Sequence, residues 1–364
     1  MTMEIEKMFL NNVFTNDILI ALVCEYVGID CTNYLLLIDK LRTHKYLLID
    51  KLRTHKYLFM EYDEKYENVK HVRYLLIRRN IPNLYDYVNL LVINLNDDFN
   101  RPLSAGIFPN YVQEITFGWY YNQSLPVGIF PNSVKQITFG GCFDKSLPIG
   151  IFPDSVEKIT FGYHFNQFLQ VGIFPNSIKE ITFDNMFNKP LKIGIFPNSI
   201  KKITFGKKFN QPLINGIFPN SIKKIIFGED FNQYLNIGVF PNSIKQITFG
   251  LSFDQPLEVG IFPNSIKKII FKCRSNKKIK AGLFPNSIKV IDFGVGFDQP
   301  LEIGIFPDSV EQITFGFFFN QLLHKDIIPK NIKKIIINRY FDKYMYETQL
   351  DELSNKMNFK VEYI

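Results

Sequence analysis

The sequence predicts a mainly β fold: a parallel-β solenoid of 22-residue units with a small helical N-terminal module. The first observation is a proline that returns every 22 residues, first at Pro109 and last at Pro329. The second is an alternating apolar and polar run after each of these prolines. A fixed period of this length is typical of solenoids, in which one unit cannot bury its apolar face alone and therefore stacks on its neighbours.

The strand and turn positions follow from a single unit. The Phe-Pro-Asn-Ser corner predicts a β-turn with proline at its second position, because proline presets φ there and Asn tolerates the third position. In residues 200–205 alternate side chains point to opposite sides, which is typical of a short half-buried strand. We expect Gly206 to free the backbone for a turn and Gly216 to mark a second bend.

The predicted core consists of three stacked phenylalanine columns. In one unit their members are Phe205 at the end of the strand, Phe209 after the turn and Phe218 before the next proline. Asn210 belongs to a ladder of Asn and Asp residues that we expect to hydrogen-bond the backbone of a neighbouring turn. Ser275 replaces phenylalanine in the ninth unit, so one column is predicted to be interrupted there.

The repeated sequence resembles a known family. Residues 99–340 follow the pattern Phe-Asn-x-Pro-Leu…Gly-x-Phe-Pro-x-Ser-Ile-Lys-x-Ile-Thr-Phe-Gly, which resembles the FNIP repeat of social amoebae and giant viruses. The resemblance covers all eleven units and implies a leucine-rich-repeat-like solenoid that serves protein interaction. It implies no catalytic residues.

We predict three segments along the chain. Residues 1–65 form a helical F-box-like module, residues 66–340 form the solenoid, and residues 341–364 form a C-terminal cap. The solenoid combines eleven regular units at 99–340 with two degenerate units before them.

Weaker patterns define the two ends of the solenoid. Residues 69–74 and 90–95 repeat the strand pattern and mark the degenerate units. Residues 350–357 are predicted to form a helix and residues 359–363 a final strand. An atypical last unit is what the cap of a solenoid requires.

Residues 14–27 are predicted to form an amphipathic helix that ends near Gly28. The segment resembles an F-box, the helical module that docks on the adaptor of cullin-type ubiquitin ligases, although Leu-Pro is usual at its front. The residues that carry this resemblance are Phe14, Thr15, Asn16, Asp17, Ile18, Leu19, Leu22, Tyr26, Val27 and Asp30. In this interpretation Phe14, Ile18 and Leu22 contact the adaptor. The alternative is a helix that only covers the apolar end of the solenoid.

The outward side chains of the predicted strands are basic. They are the fourth, fifth and seventh residues after each proline, and they include thirteen lysines but only five acidic residues. This surplus of eight compares with a net charge of +7 for the whole chain, so the basic charge lies on the exposed sheet face. That face is the concave one if the solenoid curves. The predicted partner-binding residues are Lys179, Lys201, Lys202, Lys223, Lys224, Lys245, Lys267 and Lys268.

A basic sheet face has two interpretations. It is either a site for an acidic protein partner or a solvated surface that keeps parallel strands soluble. Nucleic acid is a weaker candidate, because the face has no row of aromatic residues for base stacking and no arginine for bidentate base contacts.

Several function classes find no support in the sequence. It contains no phosphate-binding loop, zinc-ligand spacing or nucleophile elbow, so we expect no catalytic, cofactor or metal site. The four cysteines are scattered, which suits a reducing compartment. No apolar run reaches the length of a membrane span, and the first residues lack a signal-peptide core. We expect an intracellular monomer in its own or a host's cytoplasm.

The sequence therefore predicts a non-catalytic scaffold for protein–protein interaction. With an F-box at its N-terminus, the chain would be a substrate receptor of a cullin-type ubiquitin ligase. The alternatives are a stand-alone interaction or structural protein and, third, a nucleic-acid binder that uses its basic face.

Overall fold

A computed structural model of the chain describes residues 59–62, 74–77, 84, 90–337 and 347–363. These residues form one sheet of fifteen strands whose spatial order follows the chain. One α-helix, α1 (Glu347–Met357), lies between the last two strands. The strands are β1 (Phe59–Tyr62), β2 (Tyr74–Ile77), β3 (Val92–Leu95), β4 (Glu114–Thr116), β5 (Gln136–Thr138), β6 (Lys158–Thr160), β7 (Glu180–Thr182), β8 (Lys202–Thr204), β9 (Lys224–Ile226), β10 (Gln246–Phe249), β11 (Lys268–Phe271), β12 (Val290–Asp292), β13 (Gln312–Thr314), β14 (Lys334–Ile337) and β15 (Lys360–Tyr363).

Every pairing between neighbouring strands is parallel, which confirms the predicted leucine-rich-repeat-like β-solenoid. In the regular units each residue pairs with its equivalent 22 residues later, as Ile203 does with Ile225. Because the unit length is constant, the inward side chains of successive strands line up. Residues 1–58 of the predicted N-terminal helical module, including Phe14, Ile18 and Leu22, lie outside the described residues. Residues 59–62, which the prediction placed in that module, instead form β1 of the sheet.

The first and last strands depart from the 22-residue spacing. At the start, Met60 pairs with Leu75, and Leu75 pairs with Ile93. The strand predicted at 69–74 is therefore found three residues later, because the apolar run of β2 supplies the same alternation. At the end, Ile335 pairs with Val361 across α1. The helix predicted at 350–357 is present and begins three residues earlier.

The proline turn lies one residue later than predicted. The N–H of Ile200 donates to the carbonyl of Pro197 at 3.2 Å, so proline is the first residue of the turn and not the second. Asn and Ser take the two central positions, which suit them. The hydroxyl of Ser221 also donates to the carbonyl of Ile200 at 2.8 Å, and this bond joins the turn to the preceding unit.

The two recurring glycines serve different purposes. At Gly216 φ is +86°, a left-handed conformation that glycine adopts without strain, and the predicted second bend is found there. Gly228, the equivalent of Gly206, instead lies against the preceding unit. A Cβ at Gly228 would be 1.7 Å from the carbonyl oxygen of Gly206, so a side chain would collide with backbone. The prediction that this position only frees the backbone was therefore incomplete.

The three phenylalanine columns form the core as predicted. The rings of Phe205 and Phe209 are 4.1 Å apart within one unit. Phe205 lies 5.8 Å from Phe227, and Phe209 lies 6.2 Å from Phe231, in the next unit. All are nearly fully buried. Each buried phenylalanine contributes about 1.5–3 kcal/mol relative to an exposed one, before the entropy of ordering is subtracted.

The ladder of Asn and Asp runs along the solenoid in one direction. The N–H of Asn232 donates to Oδ1 of Asn210 at 2.9 Å, and the N–H of Asn210 donates to Oδ1 of Asn188 at the same distance. Nε2 of Gln211 donates to Asn188 as well, at 2.9 Å to Oδ1. These side chains therefore satisfy backbone groups of the adjacent unit, as the sequence predicted.

Candidate interaction surface

The strand face presents its lysines from two adjacent positions of each unit. Lys201 precedes β8 and is exposed, whereas Lys202 begins β8 and is half-buried. The carbonyl of Lys201 accepts the N–H of Lys223 at 2.8 Å and that of Lys224 at 3.0 Å. The backbone thus holds both lysine columns in register, about 4.8 Å apart along the solenoid.

All eight lysines predicted to bind a partner lie in these two columns. The fourth-position lysines Lys179, Lys201, Lys223, Lys245 and Lys267 are exposed. Those that begin strands, Lys202, Lys224 and Lys268, are half-buried. Their role in binding stays a prediction.

Glutamates neutralise the lysines toward the start of this face. Nζ of Lys179 lies 2.7 Å from a carboxylate oxygen of Glu157, and Nζ of Lys202 lies 3.2 Å from one of Glu180. Each pair joins equivalent positions of neighbouring units. Isolated exposed pairs of this kind add little to stability, but they cancel charge.

The far end of the face is neutralised in the same way. Glu311 accepts Lys289 and Lys333 on its two oxygens, each at 2.7 Å, and these bonds lower the pKa of Glu311 to about 2. Lys334 lies 2.6 Å from Glu362. Because Glu311 keeps its charge throughout the physiological range, every lysine named at this end has a carboxylate partner, although Lys289 and Lys333 share one.

Between these ends lies a group that we name the central lysine stretch. No carboxylate oxygen of a described residue lies within 4.0 Å of these ammonium groups. Its members are Lys201, Lys223, Lys224, Lys245, Lys267 and Lys268. One member of the stretch, Lys268, interacts electrostatically with Asp292. Burial raises the pKa of that carboxyl, and Lys268 only partly opposes the rise.

A second exposed column was missed by the sequence reasoning. It occupies the residue before each left-handed glycine, the first central position of a turn, where aliphatic side chains are about half-exposed. Its members are Val127, Ile149, Val171, Ile193, Ile237, Val259 and Ile303. The signal was available, because a β-branched residue precedes the second glycine in most units.

Other kinds of site were sought in the part of the chain that the structure describes. There, no group of three or more His, Cys, Asp or Glu residues could hold a metal ion. No helix in the same ranges is long and apolar enough to cross a membrane.

Comparison with known proteins decides the family. The model of the FNIP Repeat family matches the chain in eight places that together span most of residues 88–346. The chain is a FNIP-repeat protein. The matched ranges are 88–120, 99–142, 121–164, 143–186, 187–230, 231–273, 276–318 and 319–346. They leave out only residues 274 and 275 between them, in the ninth unit.

A solved structure resembles this FNIP-repeat protein in fold and sequence. It is the crystal structure of CroV588, described as a novel circular LRR protein, with 30% identity and a TM-score of 0.71. The match covers 74% of this chain and 40% of that one, so this chain spans well under half of the CroV588 chain. No curated protein matches the sequence. The family match and the similarity to CroV588 both identify a repeat scaffold of the leucine-rich-repeat type, which is consistent with protein–protein interaction.

Proposed function

We propose that this FNIP-repeat protein is a non-catalytic interaction scaffold that binds an acidic protein partner through the central lysine stretch. The observation that carries the proposal is the contrast along one face. Lysines at equivalent positions are paired with glutamate toward both ends, but the six in the middle have no carboxylate oxygen of a described residue within 4.0 Å. Like charges on neighbouring strands repel one another, so an acidic partner would relieve that repulsion on binding.

The spacing of these lysines determines how a partner would be attracted. Lys201, Lys223, Lys245 and Lys267 directly precede four successive strands, β8 to β11. At about 4.8 Å between strands, neighbouring charges lie within the screening length of about 8 Å at physiological salt, and their fields add. Such a field mainly speeds association, and its effect weakens as salt rises.

A polyanionic nucleic acid would meet the same field, and this is the second candidate. An acidic protein is favoured over nucleic acid as the partner, because the outward positions of the strands carry neither arginine nor aromatic side chains. Recognition of bases would need bidentate donors or stacking surfaces, which lysine does not provide.

We also propose, on sequence alone, that the N-terminal segment makes the chain a substrate receptor of a cullin-type ubiquitin ligase. Phe14, Ile18 and Leu22 would contact the adaptor, and the cell's cytoplasm would be the place of action. Ile18→Asp should abolish adaptor pull-down while the protein stays soluble and folded. Wild-type protein that captures no adaptor would instead support a stand-alone scaffold.

The lysine face can be tested with two variants of equal charge. Lys223→Gln with Lys224→Gln removes two charges from the central lysine stretch. Lys333→Gln with Lys334→Gln removes two charges at the same repeat positions, but from lysines paired with Glu311 and Glu362. Tagged full-length protein of each kind would be used to capture partners from the native cell at low and physiological salt.

We expect an acidic protein that the wild type and the Lys333/Lys334 variant both capture and that the Lys223/Lys224 variant loses. The capture should weaken as salt rises. Equal capture by both variants, independent of salt, would contradict the proposal and leave the lysines as a solubility feature. Selective loss of nucleic acid would favour the second candidate.

A further inference from the structure

The ninth unit breaks the third phenylalanine column. On one side Phe231 and Phe253 stack with ring centroids 6.2 Å apart, and on the other Phe297 and Phe319 stack at 6.1 Å. Ser275 occupies the position between these two stacks. Phe253 and Phe297 are therefore separated by about twice the usual ring spacing, with no ring of the column between them.

The missing ring leaves a crevice that opens to the surface. The crevice has a volume of about 50 Å³ and is lined by rings that include Phe253, Phe293 and Phe297. It adjoins an open depression of about 510 Å³, and Phe253, Ser275 and Lys277 line both. The gap is thus continuous with solvent at Ser275.

Apolar side chains of the flanking units line the crevice. Leu257 and Ile279 are half-exposed there, whereas the equivalent Leu213 and Leu235 are buried with 2% exposure. The equivalent Leu191 is also half-exposed although its column is unbroken, so this exposure is not by itself a mark of the missing ring. Leu257 and Ile279 offer an inserted ring additional apolar contacts.

The unit compensates only in part. Cys273 is buried with 4% exposure, although the equivalent Leu251 is 40% exposed, so the cysteine side chain has turned inward. Cysteine is much smaller than phenylalanine, and the crevice remains beside it. The left-handed Gly294, with φ +70°, follows in the next unit, where its equivalents are not left-handed.

Charged groups surround the opening. The hydroxyl of Ser275 donates to Oδ1 of Asp254 at 2.6 Å, and Lys277 lies 3.4 Å from the other oxygen of that carboxylate. Arg274 also lines the depression and has no carboxylate oxygen within 4.0 Å among the described residues. With Lys277 opposed by Asp254, Arg274 gives the rim of the depression an excess of positive charge.

We propose that this crevice binds one phenylalanine or tyrosine side chain from an acidic segment of a partner protein. The ring would insert between Phe253 and Phe297 and take the place of the missing member of the column. Stacked aromatic rings with centroids about 4.5–7 Å apart attract one another, and the column already holds that spacing. Arg274 would attract the acidic residues beside the inserted ring. The acidic character of the partner rests on the proposed function; the aromatic slot rests on its own geometry.

Small aromatic probes test the slot itself. Toluene and p-cresol, which mimic the two side chains, should raise the melting temperature of the full-length protein in proportion to the logarithm of their concentration. Ser275→Phe should abolish the shift because it fills the slot, and Ser275→Ala should retain it. Ser275→Leu, a smaller filler, should also abolish it and replaces the phenylalanine variant if that variant does not fold. Equal shifts in wild type and filled variants, or no shift in the wild type, would overturn the proposal.

Peptides separate this inference from the proposed function. A ten-residue acidic peptide with one central phenylalanine should bind the wild type about fivefold more tightly than the same peptide with alanine. Ser275→Phe should lose this preference and still bind both peptides. Lys223→Gln with Lys224→Gln should weaken both peptides and keep the preference. Equal binding of the two peptides by the wild type would overturn the slot but leave the lysine proposal intact.

Discussion

The unit that contains Phe209 and the unit that contains Ser275 share their proline turn and strand register but differ in their cores. In each unit the turn closes with a hydrogen bond of 3.1 Å, from the N–H of Ile222 to the carbonyl of Pro219 and from the N–H of Ile288 to the carbonyl of Pro285. Both turns continue into strands that pair in parallel with the preceding strand. Since the backbone ladder persists where a ring is missing, the turns and strands set the register. The phenylalanine columns supply packing energy.

The comparison predicts the largest change in the free energy of unfolding when a ring is removed from the complete column. Phe209→Ala should destabilise the protein by about 3–5 kcal/mol, because it creates a cavity between two stacked neighbours. Ser275→Ala should cost no more than about 1 kcal/mol, since it removes a surface hydrogen bond to Asp254 but no ring. Denaturant midpoints with unchanged slopes would measure both. Similar losses at the two positions would mean that the columns are not the source of packing energy.

Filling the gap should have the next largest effect. Ser275→Phe should stabilise the protein by about 1–3 kcal/mol through added apolar burial. Cys273 is buried beside the crevice, so we expect its side chain to move outward as the ring of position 275 fills the column. Cys273→Ala should therefore increase the gain in the double variant. A lower denaturant midpoint for Ser275→Phe in both backgrounds would mean that overpacking outweighs the burial.

The reactivity of the two described cysteines measures how deeply each side chain is buried. Burial raises the pKa of the Cys273 thiol, whereas Cys142 is only half-buried. Because the thiolate is the reactive form, alkylation by iodoacetamide should be slower at Cys273 than at Cys142. Peptide mass spectrometry over a time course resolves the two sites. Faster modification at Cys273 would show that its side chain is not held inside the ninth unit.

The smallest effect concerns the paired end of the lysine face. The pKa of Glu311, lowered to about 2, should rise toward its ordinary value when Lys289→Gln removes one partner. An acid whose pKa is lowered by folding stabilises the folded state above its unfolded pKa and loses that contribution as pH falls. The loss should thus occur below about pH 4.5 and down to pH 2. Carboxyl NMR titration of both proteins is the measurement, and an identical titration would contradict the pairing.

The sequence predicted what depends on the period and missed what depends on local contacts. The strands, the columns and the interruption at Ser275 were all predictable, because each residue meets its equivalent in the next unit. The turn at Pro197 was placed one residue early, since Phe-Pro-Asn-Ser and Pro-Asn-Ser-Ile fit turn preferences equally well. The collision that excludes a side chain at Gly228 depends on the approach of two backbones, which sequence does not reveal.

The lysine face was predicted in sign but not in detail. Counting charges showed the surplus of lysines over acidic residues on this face. Which lysines form salt bridges depends on which of them have a glutamate at the equivalent position of the neighbouring unit, as Lys179 has Glu157. Such pairs could have been found by comparing positions 22 residues apart. The inward orientation of Cys273 could not have been found in this way, because it depends on how the backbone adjusts to the missing ring. The first strands were displaced because their units lack the proline that fixes the frame.

The ladder through Asn188, Asn210 and Asn232 makes the solenoid modular. Each of these residues bonds its equivalent in the adjacent unit, always in the same sense. Excision of one complete 22-residue segment would rejoin identical partners, whereas excision of any other length would leave acceptors facing the wrong donors. Loss or gain of whole units within residues 197–262 would therefore shorten or lengthen the run of unpaired lysines strand by strand. Duplication or deletion of whole repeats in the gene would thus change the extent of the charged surface without requiring a new type of contact.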